Sequence, residues 1–178
     1  MAEERRMDTA REVVREIIQE RIHLFTAQVK ALNTQIKKVI AADKELRHAA
    51  RLLQTLPGIG AWTAAVLLSE LPPIDKRTRA RDIASLFGLC PRIFESGTSV
   101  HRRGAVASGG RRMVRHQLYM PALVAMKHNE QIHRWAATLK ERGKTGKQIV
   151  VAVIHKLMRL AVGVLKNQTE YQPNWRTV

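Results

Sequence analysis

LPGIGAWTAAVLLSE, residues 56–70, is the stretch around which the chain is organised. Pro57-Gly58-Ile59-Gly60 is a tight turn, and an apolar run of helical length follows it at once. Two glycines two residues apart allow positive φ and keep side chains away from the backbone. The first N–H groups of the following helix have no intrahelical partner and face back toward the turn. With its flanking segments, the stretch reads as a helix–hairpin–helix over residues 46–71. Backbone N–H groups and a helix dipole suit a phosphate. Gly58, Ile59 and Gly60 are therefore candidate contacts to a nucleic-acid backbone, of the kind that grips without reading sequence. A turn that only links two helices has the same spacing.

Upstream, residues 8–48 contain neither Pro nor Gly. Ile18, Ile22, Phe25, Val29, Leu32, Ile36 and Val39 recur at alternating spacings of four and three. That is an a/d seam, and it predicts one long coiled-coil-like helix over residues 1–48. Glu12, Glu16 and Glu20, interleaved with Arg11, Arg15 and Arg21, form a solvated face of ion pairs. So long a helix needs something to bury its seam. A second copy joined through residues 18–39 fits the strict spacing best, and a helix of the body is the other choice.

Downstream, residues 49–178 read as one helical domain. Pro72-Pro73 ends the hairpin's second helix, and a basic loop follows. A short helix over residues 80–87 stops at Gly88. Residues 89–108 lack helical periodicity and are expected to be an irregular loop, the kind of segment that often carries function. Helices are expected over residues 111–128 with a kink at Pro121, over 129–142, and from 146 to about 167. The fold class is all-α.

The charge is one-sided. Residues 1–50 hold ten Lys and Arg against eight Asp and Glu, whereas residues 51–178 hold twenty-one against seven. A folded body this basic is expected to bind a polyanion. Cys90 is the only cysteine, so no disulfide forms within the chain, and the charged N-terminus lacks an export core. Both point to the cytoplasm. No uninterrupted apolar stretch is long enough to suggest a membrane span.

Chemistry has few candidates. His128 and His133 are five apart and no cysteine pair supports them, so no metal set is read. Seven scattered carboxylates after residue 50 do not make a two-metal site, and there is no P-loop. What remains is Ser96, in a loop rich in arginine. A serine hydroxyl attacks a phosphodiester if its proton is removed and guanidinium groups meet the developing charge. Arg102, Arg103, Arg111, Arg112 and Arg115 follow it, and Ser99 and Ser108 compete with it. Local turn hydrogen bonding is the ordinary use of such hydroxyls.

LPGIGAWTAAVLLSE, IASLFGLCPRIFESGTSVHRRG, GGRRMVRHQLYMPALVAMKHN and KERGKTGKQIVVAVIHKLMRLAVGVL occur in this order. Together they resemble the C-terminal domain of insertion-sequence transposases of the IS110/IS116/IS902 class. The resemblance implies a DNA recombinase with a composite site. In it this domain supplies a nucleophilic serine, and a RuvC-like domain supplies metal-binding carboxylates, with magnesium as their ion. It also implies DNA as partner and a structured guide RNA in members of the family. Ser96, before Gly97, is the serine it points to, with Ser108 as the fallback. The fifty residues before the hairpin read as the coiled coil, so the RuvC-like domain is expected from another chain. No cofactor is then expected here, and the chain is not expected to be active alone. A non-catalytic DNA- or RNA-binding remnant, or a regulator pairing with a full-length transposase, is the alternative. If the hairpin grips phosphate, Gly58→Val with Gly60→Val is expected to weaken duplex binding without unfolding the chain, as a binding assay beside a melting curve would read.

Overall fold

The computed structural model describes residues 12–89, 91–96, 100–106 and 110–173. Eight helices and one two-stranded ribbon follow in order among them: α1 (Glu12–Ala42), α2 (Lys44–Gln54), α3 (Ala61–Glu70), α4 (Ala80–Leu86), β1 (Pro91–Ser96), β2 (Val100–Val106), α5 (Arg112–Gln117), α6 (Tyr119–His128), α7 (Glu130–Glu141) and α8 (Gly146–Asn167). The chain divides into two compact units, one through Lys44 and one from Glu45.

In the first unit, α1 runs for 31 residues. Thr26 and Thr34 turn their hydroxyls back onto the carbonyls of Ile22 and Lys30, so they do not break it. Ile18 is buried, but Phe25, Val29, Leu32 and Val39 are each more than half exposed. The helix stops at Ala42, Asp43 is non-helical, and α2 begins at Lys44. The long helix and the first hairpin helix thus part earlier than the unbroken pattern up to residue 48 suggests. Residues 1–11 of the expected helix lie outside the described residues.

The second unit is built on α8. Eleven of its side chains are buried, among them Val153, Leu157, Leu160, Ala161 and Val164. Such all-round burial is what makes a helix apolar on most of its circumference. α4, α6 and α7 pack against it, and α3 packs on α5. Phe87, Leu53, Leu56, Leu67, Leu118 and Ile132 complete the core. Among the described residues, α8 is the one helix long and apolar enough to cross a bilayer, and its apolar side chains are spent on this core.

Helix ends follow their sequence signals. Thr145 and Gln148 form a capping box at the start of α8, with the Thr145 N–H donating to Gln148 Oε1 at 2.9 Å. Asn129 caps α7 by accepting from the Ile132 N–H, and its Nδ2 donates to the Tyr171 hydroxyl. The Tyr171 N–H donates to Thr55 Oγ1, which ties the segment after α8 to the hairpin turn.

Two expectations are corrected. Residues 111–128 are two helices, divided at Leu118, one turn before Pro121. Pro121 lies in the first turn of α6, where its missing N–H had no intrahelical partner to lose. Most of residues 89–108 forms an antiparallel ribbon, with Ser96 opposite Val100, Phe94 opposite Arg102 and Arg92 opposite Ala105. One residue separates Arg92 from Phe94, but two separate Arg102 from Ala105, so a bulge falls at Arg103-Gly104. The bulge breaks the period-2 alternation by which a strand is recognised.

The hairpin turn is held by its first glycine. Gly58 has φ +93°, and a Cβ there would collide with the Pro121 carbonyl oxygen and lie 3.1 Å from the Ala125 nitrogen. Gly60, by contrast, has φ −85° and open space where a Cβ would stand. The paired substitution is therefore not a clean test, because position 58 is a packing position. Gly58→Ala is expected to cost roughly 2–4 kcal/mol, from left-handed strain plus backbone overlap. Gly60→Ala is expected to leave the melting temperature within a few degrees. Thermal unfolding of the two single variants separates them.

Candidate nucleic-acid interface

The turn between α2 and α3 is closed by its own backbone. The N–H groups of Thr55, Leu56 and Ile59 donate to the carbonyls of Leu52, Leu53 and Leu56 at 3.2, 3.1 and 3.0 Å. Ile59 thus has a buried side chain and an engaged N–H, and Gly58 faces α6. The exposed end of the turn is Gly60, which begins α3 without a side-chain cap. The first intrahelical bond runs from the Ala64 N–H to the Gly60 carbonyl at 2.9 Å. The N–H groups that α3 leaves without intrahelical acceptors are those of Ala61, Trp62 and Thr63. Of the trio Gly58, Ile59 and Gly60, the Ile59 N–H is spent within the turn, and the first N–H groups of α3 add donors at the same end.

Trp62 stands at this end of α3, half exposed, with its Nε1 donating to Gln117 Oε1 at 3.4 Å. It is a base-stacking candidate that the sequence reading passed over, because it sits inside an apolar run. Its place directly behind a phosphate-type turn was the available signal.

The arginines divide by what they touch. Arg111 places Nη1 2.6 Å from both the carbonyl oxygen and Oε2 of Glu70, joining the end of α3 to the start of α5. Arg115 donates from Nη1 to the Phe87 carbonyl at 2.7 Å. Both guanidinium groups are spent at least in part on the fold. Arg112, in the first turn of α5, is exposed. The Arg111 N–H donates to the Leu86 carbonyl at 3.3 Å, so the chain leaves α4 for the ribbon and returns from it at neighbouring points.

Ser96 is the last residue of β1. Its backbone pairs with Val100, and that of Phe94 with Arg102. Arg103 belongs to the bulge. Ser108 and Ser99 lie outside the described residues, as does Cys90. Among the described residues, no group of three or more His, Cys, Asp or Glu could hold a metal ion.

The ribbon carries Ser96, Arg102 and Arg103, and the chain after residue 50 is strongly basic. Residues 50–136 match the model of the Transposase IS116/IS110/IS902 family. The chain is 30% identical over 159 residues to the pilin gene-inverting protein of Moraxella bovis, covering 89% of this chain and 49% of the relative. It is 28% identical over 145 residues to the insertion element IS110 43.6 kDa protein of Streptomyces coelicolor, covering 82% and 35%. A putative transposase of Sinorhizobium fredii, y4pF/y4sB, is 27% identical over 153 residues, covering 83% and 38%. Over residues 50–136, just under half of its length, the chain resembles the IS116/IS110/IS902 transposase family. It spans about half the length, or less, of these relatives.

The division of the arginines is measurable. Arg111→Ala and Arg115→Ala are each expected to lower stability by about 0.5–1.5 kcal/mol. Arg112→Ala is expected to leave the melting temperature unchanged and to lower affinity for duplex DNA several-fold. Denaturant unfolding beside fluorescence anisotropy on the three proteins reads both effects.

Proposed function

We propose that this chain is the DNA-gripping, serine-bearing part of a transposase, acting in the cutting and rejoining of insertion-element DNA. What carries this reading is Ser96 at the end of a strand whose antiparallel partner holds Arg102 and Arg103, in a chain that matches the model of a transposase family. One relative is named for inverting a gene and others for insertion elements or transposition, and all of these rearrangements break and rejoin DNA strands.

Chemically, the Ser96 Oγ attacks a backbone phosphorus as its proton leaves. The new Oγ–P ester forms while one P–O ester bond of the DNA breaks, and the departing oxygen takes up a proton as a free hydroxyl. The energy of the broken ester is kept in the serine–DNA bond, so attack by another DNA hydroxyl rejoins a strand and restores the serine. Arg102 and Arg103 meet the charge that develops on the phosphorane oxygens. The N-terminus of α3 and Arg112 hold phosphates further along the duplex. The metal-binding carboxylates of the composite site come from a RuvC-like domain outside the described residues.

A second reading makes the chain a pairing and binding module. The feature favouring it is α1, whose Phe25, Val29, Leu32 and Val39 stand exposed at heptad spacing. Such a seam closes on a second copy. Sedimentation should then give a dimer for the wild type and a monomer for Phe25→Lys with Leu32→Lys; a wild-type monomer at micromolar concentration rules the seam out as a dimer contact.

The catalytic reading is tested by covalent trapping on element-end DNA with magnesium, with and without a RuvC-like domain added in trans. A band that survives denaturation in the wild type and disappears in Ser96→Ala is the expected result. An adduct that persists in Ser96→Ala and is lost in Ser108→Ala moves the nucleophile. DNA binding with no adduct in either arm leaves the pairing and binding role.

A further inference from the structure

The exposed side of the core helix is basic. α8 is buried around most of its circumference, and the partly exposed strip carries His155, Lys156, Arg159 and Lys166 at helical spacing, with Ala152 before them and Gly163 between Arg159 and Lys166. At one side, the Lys156 ammonium lies 4.8 Å from the centre of the Trp135 ring on α7. At the C-terminal end, the Lys166 Nζ donates to the Thr78 carbonyl at 3.2 Å. The strip is thereby continuous with the loop before α4, which presents Lys76 and Arg77 to solvent.

That loop is set by one carboxylate. Asp75 Oδ1 accepts from the Arg77 N–H, the Thr78 N–H and the Thr78 hydroxyl at 2.9, 2.7 and 2.7 Å. The Thr78 hydroxyl and N–H bonds hold the Asp75 carboxyl below the usual carboxylate range. This carboxylate is occupied with the turn and does not serve the cations of α8. The ion pairs formed by loop residues join Arg79 and Arg81 to Asp82. Among the described residues, no carboxylate pairs with His155, Lys156, Arg159 or Lys166.

Three features of this strip run against stability. Like charges three and four residues apart on a helix repel. Here burial, followed by the charge of Arg159, pushes the pKa of both His155 and Lys156 down. Gly163 sits inside a 22-residue helix, where glycine is a poor helix former, and a Cβ on it would meet nothing within 4 Å. No internal contact requires that glycine. Crowded cations without acids and a bare helical backbone, all on one strip, are what a close-lying anionic chain requires.

We propose that the α8 strip and the 76–77 loop form a second track for a nucleic-acid phosphodiester backbone, separate from the turn at Gly60. Phosphates lie along Lys166, Arg159 and His155, and the backbone passes closest at Gly163. The proposal rests on the reading of this chain as a nucleic-acid-binding protein and adds where a second strand or duplex runs.

The test uses the full chain, a duplex DNA and a duplex RNA of equal length, and affinity measured across a salt series. Arg159→Gln with Lys166→Gln is compared with Lys127→Gln with Lys140→Gln, an equal charge change at exposed positions off the strip. With two phosphate contacts removed, the slope of log affinity on log salt should fall by about 1.8 for DNA or about 1.4–1.8 for RNA. Affinity at moderate salt should drop at least tenfold relative to the control pair, and the arm that responds identifies the nucleic acid. Gly163→Ala should melt at the wild-type temperature or a few degrees higher and still bind several-fold more weakly. Equal slopes and affinities for the strip and control pairs in both arms overturn the proposal, as does wild-type binding by Gly163→Ala. If the wild type itself binds neither duplex, the nucleic-acid reading falls. If Gly60→Val weakens binding while the strip variants do not, only the second track falls.

Discussion

A bare Cα at Gly58 against the Pro121 carbonyl is the contact on which the arrangement depends. The turn must take a left-handed residue there, and α6 comes so close that no side chain fits between them. The consequence is positional. The start of α3 is fixed relative to α6, α6 is fixed on α8, and α5 is drawn to the end of α3 by Arg111 and Glu70. A phosphate-facing helix end is useful only if its donors already point the right way before the ligand arrives. The glycine supplies that rigidity, whereas a motif reading assigns it to the ligand.

The same separation of scaffold from surface runs through the basic residues. Of the five arginines that cluster around the ribbon in sequence, two donate to backbone carbonyls of distant elements and hold the fold. A guanidinium with five donors can brace a structure and still present charge, so positive residues in a DNA-binding domain cannot be counted as DNA contacts one for one. The surplus that remains is nonetheless large, since the part of the chain after residue 50 has three times as many basic as acidic residues. Such an excess is tolerable because salt and water screen exposed charges, and it becomes favourable when a polyanion replaces the counterions.

Most of the fold was legible because helices announce themselves locally. α3, α4, α7 and α8 begin and end within a residue or two of where the apolar period, the prolines and the glycines put them. Pro121 signalled an interruption, and the break falls at Leu118, one turn before it, where a proline leaves a helical carbonyl unbonded. The ribbon was hidden because its pairing lies in backbone hydrogen bonds between strands, and the bulge at Arg103-Gly104 shifts the side-chain alternation. At the candidate site, the sequence located the hairpin but not which N–H groups it spends on itself. That depends on the hydrogen bond from Ile59 to Leu56, a matter of turn geometry that residue types do not specify. The α8 strip was masked by its own helix, whose apolar majority reads as core and leaves the few cations looking incidental.

The position of α8 in chain order carries a consequence for how the molecule comes into being. The helix on which α4, α6 and α7 close is the last one described, beginning at Gly146. On a ribosome, α4, α6 and α7 emerge before the helix they pack upon has been synthesised. They can form local helix, but a packed core must wait until α8 leaves the exit tunnel. The contacts that then lock the domain, such as Lys166 with Thr78 and Tyr171 with Thr55, join residues 88 and 116 positions apart. Ordering so much chain at the end makes assembly a late and cooperative event. A nascent chain interrupted before α8 is left without a core and exposed to proteolysis.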